Sequence, residues 1–172
     1  MKFWSFLLIV FLAIIQTTIM HYFSIKLGMV NLILVIFIMM LFLKHFESAL
    51  IWAAFGGLIL DLLSSTPSGM YFLGFMIIYF ALALFFKTFE FEEVIVLLII
   101  MIVASTCFDL FSLVYLDLWG IRLPIHDFSN IIIFDTLLNT IFICIIYPIL
   151  ISINKYFSAK KQRIITISEF YK

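Results

Sequence analysis

Charged residues are scarce in this sequence, and their scarcity decides the class of protein. Only 12% of the 172 residues are charged, whereas 66% are hydrophobic and the mean hydropathy is +1.30. Soluble domains carry about 25% charged residues. The ten basic and ten acidic residues balance, so net charge gives no reason to expect a nucleic-acid partner. A chain this apolar cannot cover its own core in water, and we expect an integral membrane protein.

The sequence contains only two cysteines and lacks the motifs of common membrane enzymes. Cys107 and Cys144 lie in long apolar runs without a CxxC pattern, so we expect two buried thiols and neither redox chemistry nor zinc. The nearest match to the G-x-S-G motif of rhomboid-type serine proteases is Thr66–Gly69, which lacks the first glycine. HExxH and GxGD motifs are absent, and the three histidines lie near the ends of different apolar runs, at His21, His45 and His126. The sequence therefore predicts no catalysis, no cofactor and no bound metal.

Six apolar runs predict an all-α membrane protein with a bundle of six transmembrane helices. A bilayer core of about 30 Å requires roughly 20 helical residues. The second and third runs are short, so either flanking residues extend them or they form a tight hairpin buried by neighbouring helices. The first run resembles a signal peptide but is too long for its apolar region and lacks a cleavage site. The predicted spans are Phe3–Phe23, Met29–Leu43, Ser48–Leu63, Met70–Phe86, Val94–Leu116 and Ile131–Ile153.

The distribution of Lys and Arg predicts the orientation. If the amino terminus is cytoplasmic, eight basic residues fall inside and only Lys26 and Arg122 fall outside. Cytoplasmic loops carry the excess of positive charge, so both termini are predicted to be cytoplasmic. The eight are Lys2, Lys44, Lys87, Lys155, Lys160, Lys161, Arg163 and Lys172.

Two domains follow from this topology: a six-helix transmembrane domain over residues 1–153 and a basic cytoplasmic tail over residues 154–172. Basic and apolar residues alternate in the tail, which suits the anionic inner leaflet. The basic residues of the tail are explained by its role in fixing the membrane topology. The alternative is that the tail docks a cytoplasmic partner. The longest connection is predicted over Asp117–Asn130, where Pro124 interrupts any helix.

Asp61 ends a stripe of small residues at four-residue spacing: Ala49, Ala53 and Gly57. Small residues at this interval let another helix pack closely, whether from a partner, from a second copy in a homodimer, or from the same bundle. An acid inside a membrane costs about 2.5–3.5 kcal/mol at mid-bilayer and so requires a reason. Asp61 lies near the turn 64–69, and we expect its carboxylate to accept hydrogen bonds there. The alternative is a ligand or proton site.

Two further acids lie within predicted spans. Asp109 shares a helix face with Ser105 and Ser112, and Asp135 shares a face with Asn139. Lipid offers these groups no partner, so both clusters are predicted to point into the bundle as polar contacts between helices. Gln16, with Thr17 and Thr18, is expected to join this polar layer. A transport path is the alternative.

Several stretches resemble the rod shape-determining protein MreD family. Gln16-Thr17-Thr18 is similar to its opening helix, and Leu137-Leu138-Asn139 with Pro148 is similar to its last helix. The most recognisable stretch is a glycine–leucine–aspartate helix end before a proline–glycine turn. Here that stretch comprises Gly56, Gly57, Asp61, Pro67 and Gly69. One departure stands out: Val30-Asn31 occupies the place of the family's usual Pro-Asp pair.

The resemblance implies a non-catalytic scaffold in the cytoplasmic membrane of a bacterium, within the machinery that couples peptidoglycan synthesis to cell shape. It implies MreC as direct partner, with RodA, its transpeptidase and MreB as complex members. The family is also similar in fold to the substrate-binding subunits of energy-coupling-factor vitamin transporters, and such a subunit is the alternative function. Those subunits commonly dock through A-x-x-x-A in the first helix, where this chain has only Ala13. This departure disfavours the transporter alternative.

Overall fold

The computed structural model describes residues 3–27, 29–89, 93–121 and 125–170, and within these ranges all regular structure is helical. The predicted all-α class is confirmed. The helices are α1 (Phe3–Leu27), α2 (Leu32–Phe42), α3 (Phe46–Leu63), α4 (Met70–Thr88), α5 (Val94–Leu118) and α6 (Ile125–Phe170).

Four stretches in the described part of the chain are long and apolar enough to cross a membrane: α3, α4, α5 and Phe128–Ile149 of α6. Two shorter apolar helical stretches, Phe6–Thr18 of α1 and the whole of α2, accompany them. The structure therefore gives six helices, and insertion of all six across the bilayer stays a prediction.

α2 is the central helix of the bundle. Nine of its eleven residues are buried, and it contacts α1, α3, α4, α5 and α6. A helix that is apolar all round is one that is buried all round, and here protein rather than lipid supplies the surroundings. This explains how an eleven-residue helix, only about 16 Å long, belongs in a membrane protein.

α2 and α3 form a tight hairpin, one of the two alternatives predicted for the short runs, but only α2 is buried by its neighbours, whereas α3 is long and apolar enough to cross a membrane. Lys44 adopts a left-handed conformation with φ of 60°. The amide of His45 donates to the carbonyl of Met40 at 2.8 Å, and that of Lys44 donates to Leu41 at 2.9 Å. These bonds form a Schellman motif, which ends α2 and reverses the chain within three residues.

α6 differs most from the sequence prediction. It begins at Ile125 and continues through Phe170, so it takes up part of the predicted loop Asp117–Asn130 and most of the predicted tail. Its 46 residues span about 70 Å, well beyond a bilayer core. Pro148 lies inside this helix. The helix thus continues without a break through the predicted domain boundary between residues 153 and 154. Four residues used in the sequence predictions lie outside the described residues: Lys2, Arg122, Pro124 and Lys172.

The outward faces of the helices are apolar. Large hydrophobic residues such as Leu84, Ile95 and Leu118 are more than 60% exposed, as expected for a surface in contact with lipid. Cys107 and Cys144 lie on this surface. The prediction of buried thiols is therefore wrong: helical periodicity places both on the faces of α5 and α6 that point away from the bundle.

Candidate functional site

Asp61 caps a helix other than its own. Its Oδ1 accepts the backbone N–H of Tyr71 at 2.9 Å, and its Oδ2 accepts that of Phe72 at 3.0 Å. α4 begins after Gly69, which has no side chain to cap it. Tyr71 and Phe72 carry the amides that a capping side chain normally binds. The carboxylate of α3 therefore supplies the missing cap, and its negative charge lies at the positive end of α4.

Gly57 permits this cap by letting α3 and α4 approach. A Cβ at Gly57 would lie 2.7 Å from the Cα of Phe72 and 2.9 Å from its backbone nitrogen. Only glycine fits this contact, because the neighbouring atoms are backbone. The turn between the helices is tied by a 2.7 Å bond between the Ser64 and Thr66 hydroxyls, and the Tyr115 hydroxyl of α5 donates to the Ser68 carbonyl at 2.7 Å.

Gly69 and Pro67 complete the same motif. Gly69 has φ of +94°, and a Cβ there would lie 3.2 Å from the Tyr115 hydroxyl. The carbonyl of Pro67 accepts the amide of Met70 at 3.3 Å. In the sequence stretch that resembles the MreD family, Gly57, Asp61, Pro67 and Gly69 thus meet at the start of α4, whereas Gly56 packs against Ile33 of α2.

A second set of caps lies at the start of α2. Asn31 is its N-cap, and the side-chain oxygen of Asn31 accepts the Leu34 amide at 3.2 Å. The Gln16 carboxamide, from α1, donates to the same oxygen at 3.3 Å and accepts the Ile33 amide at 3.5 Å. Asn31 stands where the resemblance predicts an aspartate, and its side-chain oxygen serves as the acceptor. Sequence reasoning noted Asn31 only as a departure, although asparagine before an apolar run is itself a helix-start signal.

α6 holds the segment before α2 from the other side. The side-chain oxygen of Asn139 accepts the Asn31 amide at 2.7 Å, and its Nδ2 donates to the Ser105 hydroxyl of α5 at 2.8 Å. Asp135 accepts the backbone N–H of Met29. Gln16, Asn31, Ser105 and Asn139 are all buried. The structure therefore joins α1, α2, α5 and α6 in one buried polar network.

Asp109 lies beside this network on α5. It is 8% exposed, and its Oδ2 is buried without a hydrogen-bond partner among the described residues. The Ser112 hydroxyl, on the same face, donates to the Phe108 carbonyl of its own helix at 2.9 Å. Asp109 thus points inward but, unlike Asp61 and Asp135, caps no described helix.

The small-residue stripe lies inside the chain's own bundle. Ala49 and Ala53 are fully buried, and Gly57 is buried against α4. The stripe therefore presents no open surface to a partner helix or a second copy.

Pro148 lies on the exposed side of α6, where the Ser152 hydroxyl donates to its carbonyl at 2.8 Å.

The chemistry of the two capped starts is structural. Their carboxylate and carboxamide groups bind backbone amides, and the described residues contain no cluster of three or more His, Cys, Asp or Glu able to hold a metal ion. Tyr71 is a residue that sequence reasoning missed. Its ring packs on Phe108 with centroids 5.7 Å apart, between the α4 start and Asp109. No spacing pattern marks it, since it follows the turn as one aromatic residue among many.

Comparison with known proteins gives one match. The sequence model of the rod shape-determining protein MreD family matches residues 1–157. No curated protein and no solved structure matches the chain. The match includes the α3–α4 unit and the network at the start of α2.

Proposed function

The chain belongs to the rod shape-determining protein MreD family, and from that membership we propose that it is a non-catalytic membrane scaffold that binds MreC and couples peptidoglycan synthesis to cell shape. The family assignment makes it a rod shape-determining membrane protein. The proposal adds MreC as the direct partner. It also adds RodA, its transpeptidase and MreB as further members of the complex. The observation that carries it is the family match over residues 1–157.

The use of the intramembrane polar groups supports a scaffold. Asp61, Gln16, Asn139 and Asp135 bind backbone amides at the starts of α2 and α4 or just before them. Polar groups that bind backbone amides stabilise one arrangement of helices, because each group is costly in lipid without a partner. A rigid bundle with an apolar exterior is what a membrane scaffold requires.

We also propose the finer topology: six helices across the cytoplasmic membrane, both termini inside, and residues 154–172 as a basic cytoplasmic segment. On this topology α6 carries its helix out of the bilayer toward cytoplasmic components. The fold similarity to vitamin-transporter subunits stays a prediction of the family resemblance, since no solved structure matches.

Co-purification tests the proposed partner. The full chain, tagged and expressed at native level in the organism that carries it, is cross-linked in its membranes, purified and analysed by mass spectrometry. A multi-span membrane protein of another function, expressed at the same level, is the control. We expect MreC to be enriched over this control, and depletion of the chain to turn rods into spheres. Enrichment of transporter ATPases without MreC would instead support the vitamin-transporter alternative.

A further inference from the structure

A pocket of about 330 Å³ opens between α1, the end of α3 and the start of α4. Its polar lining consists of five hydroxyl side chains and one carboxamide: Thr17, Ser64, Ser65, Thr66, Tyr71 and Gln16. This volume is at the lower end of the range for ligand sites, about 300–1,000 Å³. It has room for one group the size of a sugar ring. We infer that this pocket binds an uncharged, hydroxyl-rich group, such as the sugar of a neutral glycolipid or a free sugar.

The hydrogen-bonding capacity of the lining favours hydroxyl groups. A hydroxyl both donates and accepts, so a wall of hydroxyls suits a ligand whose groups do the same. Tyr71 lines the pocket with its hydroxyl-bearing side chain, and Ser65 is exposed. Ser64 and Thr66 share one bond and keep further lone pairs for a ligand.

The described lining favours an uncharged ligand over an anionic one. No charged side chain lines the pocket among the described residues. A phosphate or carboxylate would find no counter-ion among these lining residues, which is unfavourable in a low-dielectric site.

The walls are held in place before any ligand arrives. Asp61 fixes the backbone of Tyr71, the ring of Tyr71 packs on Phe108, and Gln16 is fixed by its bonds to the start of α2. Asp135 holds the backbone of Met29, another lining residue. Preorganised walls reduce the entropy lost on binding.

The remaining lining is apolar and continues onto the lipid-facing surface. Met29, Leu60 and Leu63 complete the pocket, and the adjacent Leu62 is 84% exposed. Acyl chains could lie along α3 while the sugar occupies the pocket. This supports a lipid source for the hydroxylated group, and a free sugar is the other source of the same chemistry.

Binding is measured on the full chain in phosphatidylcholine nanodiscs, because glucoside and maltoside detergents would themselves occupy the pocket. The probes are monoglucosyl diacylglycerol, diacylglycerol without the sugar, phosphatidylglycerol and methyl glucoside. We expect the glycolipid to bind in preference to diacylglycerol and phosphatidylglycerol. Displacement by methyl glucoside would support a free sugar as a ligand, and no displacement would support the lipid-borne sugar.

Tyr71→Phe removes the hydroxyl and keeps both the ring and the backbone bond to Asp61. It is expected to weaken glycolipid binding about fivefold, the usual effect of one hydrogen bond. Ser65→Leu, at an exposed position, should block the pocket without unfolding the chain. Tyr79→Phe is the matched control, since its hydroxyl donates to Phe46 on α3, away from the pocket. Equal binding of diacylglycerol or phosphatidylglycerol, no binding of any sugar probe, or unchanged affinity in Tyr71→Phe would overturn the inference.

Discussion

Asp61 and Gln16 bind the first amides of helices other than their own, and Asn31 caps the start of its own helix. α2 and α4 begin where lipid and packed protein offer no water to their first amides. Asp61, Gln16 and Asn31 accept those amides. This capping role explains why an aspartate lies at the end of an apolar helix although its burial is costly.

The two bonds of Asp61 set the order of its variants. Asp61→Leu removes both acceptors and leaves two amides unsatisfied, at about 1–3 kcal/mol each. Asp61→Asn keeps one acceptor oxygen and should be milder. We expect membrane level, thermal stability in detergent and rescue of rod shape to fall in the order wild type, Asn, Leu. If Asp61 were instead a proton or cation site, both variants would be equally inactive at normal protein level.

Pairs of helices depend on close backbone contact as well as on caps. α3 and α4 touch at Gly57, and α5 and α6 meet the start of α2 through Ser105 and Asn139. In lipid such packing and hydrogen bonds replace hydrophobic burial as the force between helices. Two substitutions test these contacts.

Gly57→Ala is expected to separate α3 from α4, because the added methyl would lie 2.7 Å from the Phe72 backbone. The separation should also lengthen the Asp61 bonds, and the membrane level of the protein should drop severalfold. Gly120→Ala is the control: Gly120 has φ of +76° but no atom within 4 Å of an added Cβ. The Gly120→Ala variant should lose about 1–2 kcal/mol of folding stability, from backbone strain alone. A Gly57→Ala protein as abundant and as thermostable as this control would contradict the contact.

Asn139→Leu should destabilise the start of α2, since it removes the acceptor of the Asn31 amide and the donor to Ser105. We expect a loss of about 2–4 kcal/mol, seen as a lower unfolding temperature in detergent. Thr140→Val is the neighbouring control, because the Thr140 hydroxyl donates to the Thr136 carbonyl of its own helix. Equal unfolding temperatures for the two variants would count against the network.

The caps of α2 and α4 lie at one end of the bundle, and a cluster of three aromatic side chains lies at the other. The end of α3 and the starts of α2 and α4 hold the caps, whereas Phe42, Phe86 and Tyr147 pack together at the opposite end. The distribution of basic residues predicts that the capped end faces outward. The pocket and the Ser–Pro turn would then lie on the outer side.

Reporter fusions test this orientation. An alkaline phosphatase, active only outside the cytoplasm, should be active after Ser65 and after Ile121, at the ends of α3 and α5. It should be inactive after Lys172, and a cytoplasmic reporter at these sites should give the opposite pattern. Phosphatase activity after Lys172 would reject the arrangement with six spans and both termini inside.

The sequence alone determined the helical class, the membrane setting and the family, because composition, apolar periodicity and the Asp61 stretch are local properties. It also marked Gln16, Asp135 and Asn139 as polar groups that must face protein, since lipid excludes them. Their roles in this chain, beyond the contacts described, stay predictions.

Only the tertiary structure decided which groups meet. Asp61 caps α4 rather than the turn beside it, Asn139 reaches Asn31 across more than a hundred residues, and α2 lies at the centre. Likewise, the stripe ending at Gly57 packs within the bundle, and the two cysteines face outward. In a chain that is apolar on nearly every face, helical periodicity does not distinguish lipid from protein as the neighbour. That choice depends on how the helices pack, because packing determines which apolar faces protein covers and which are left to lipid.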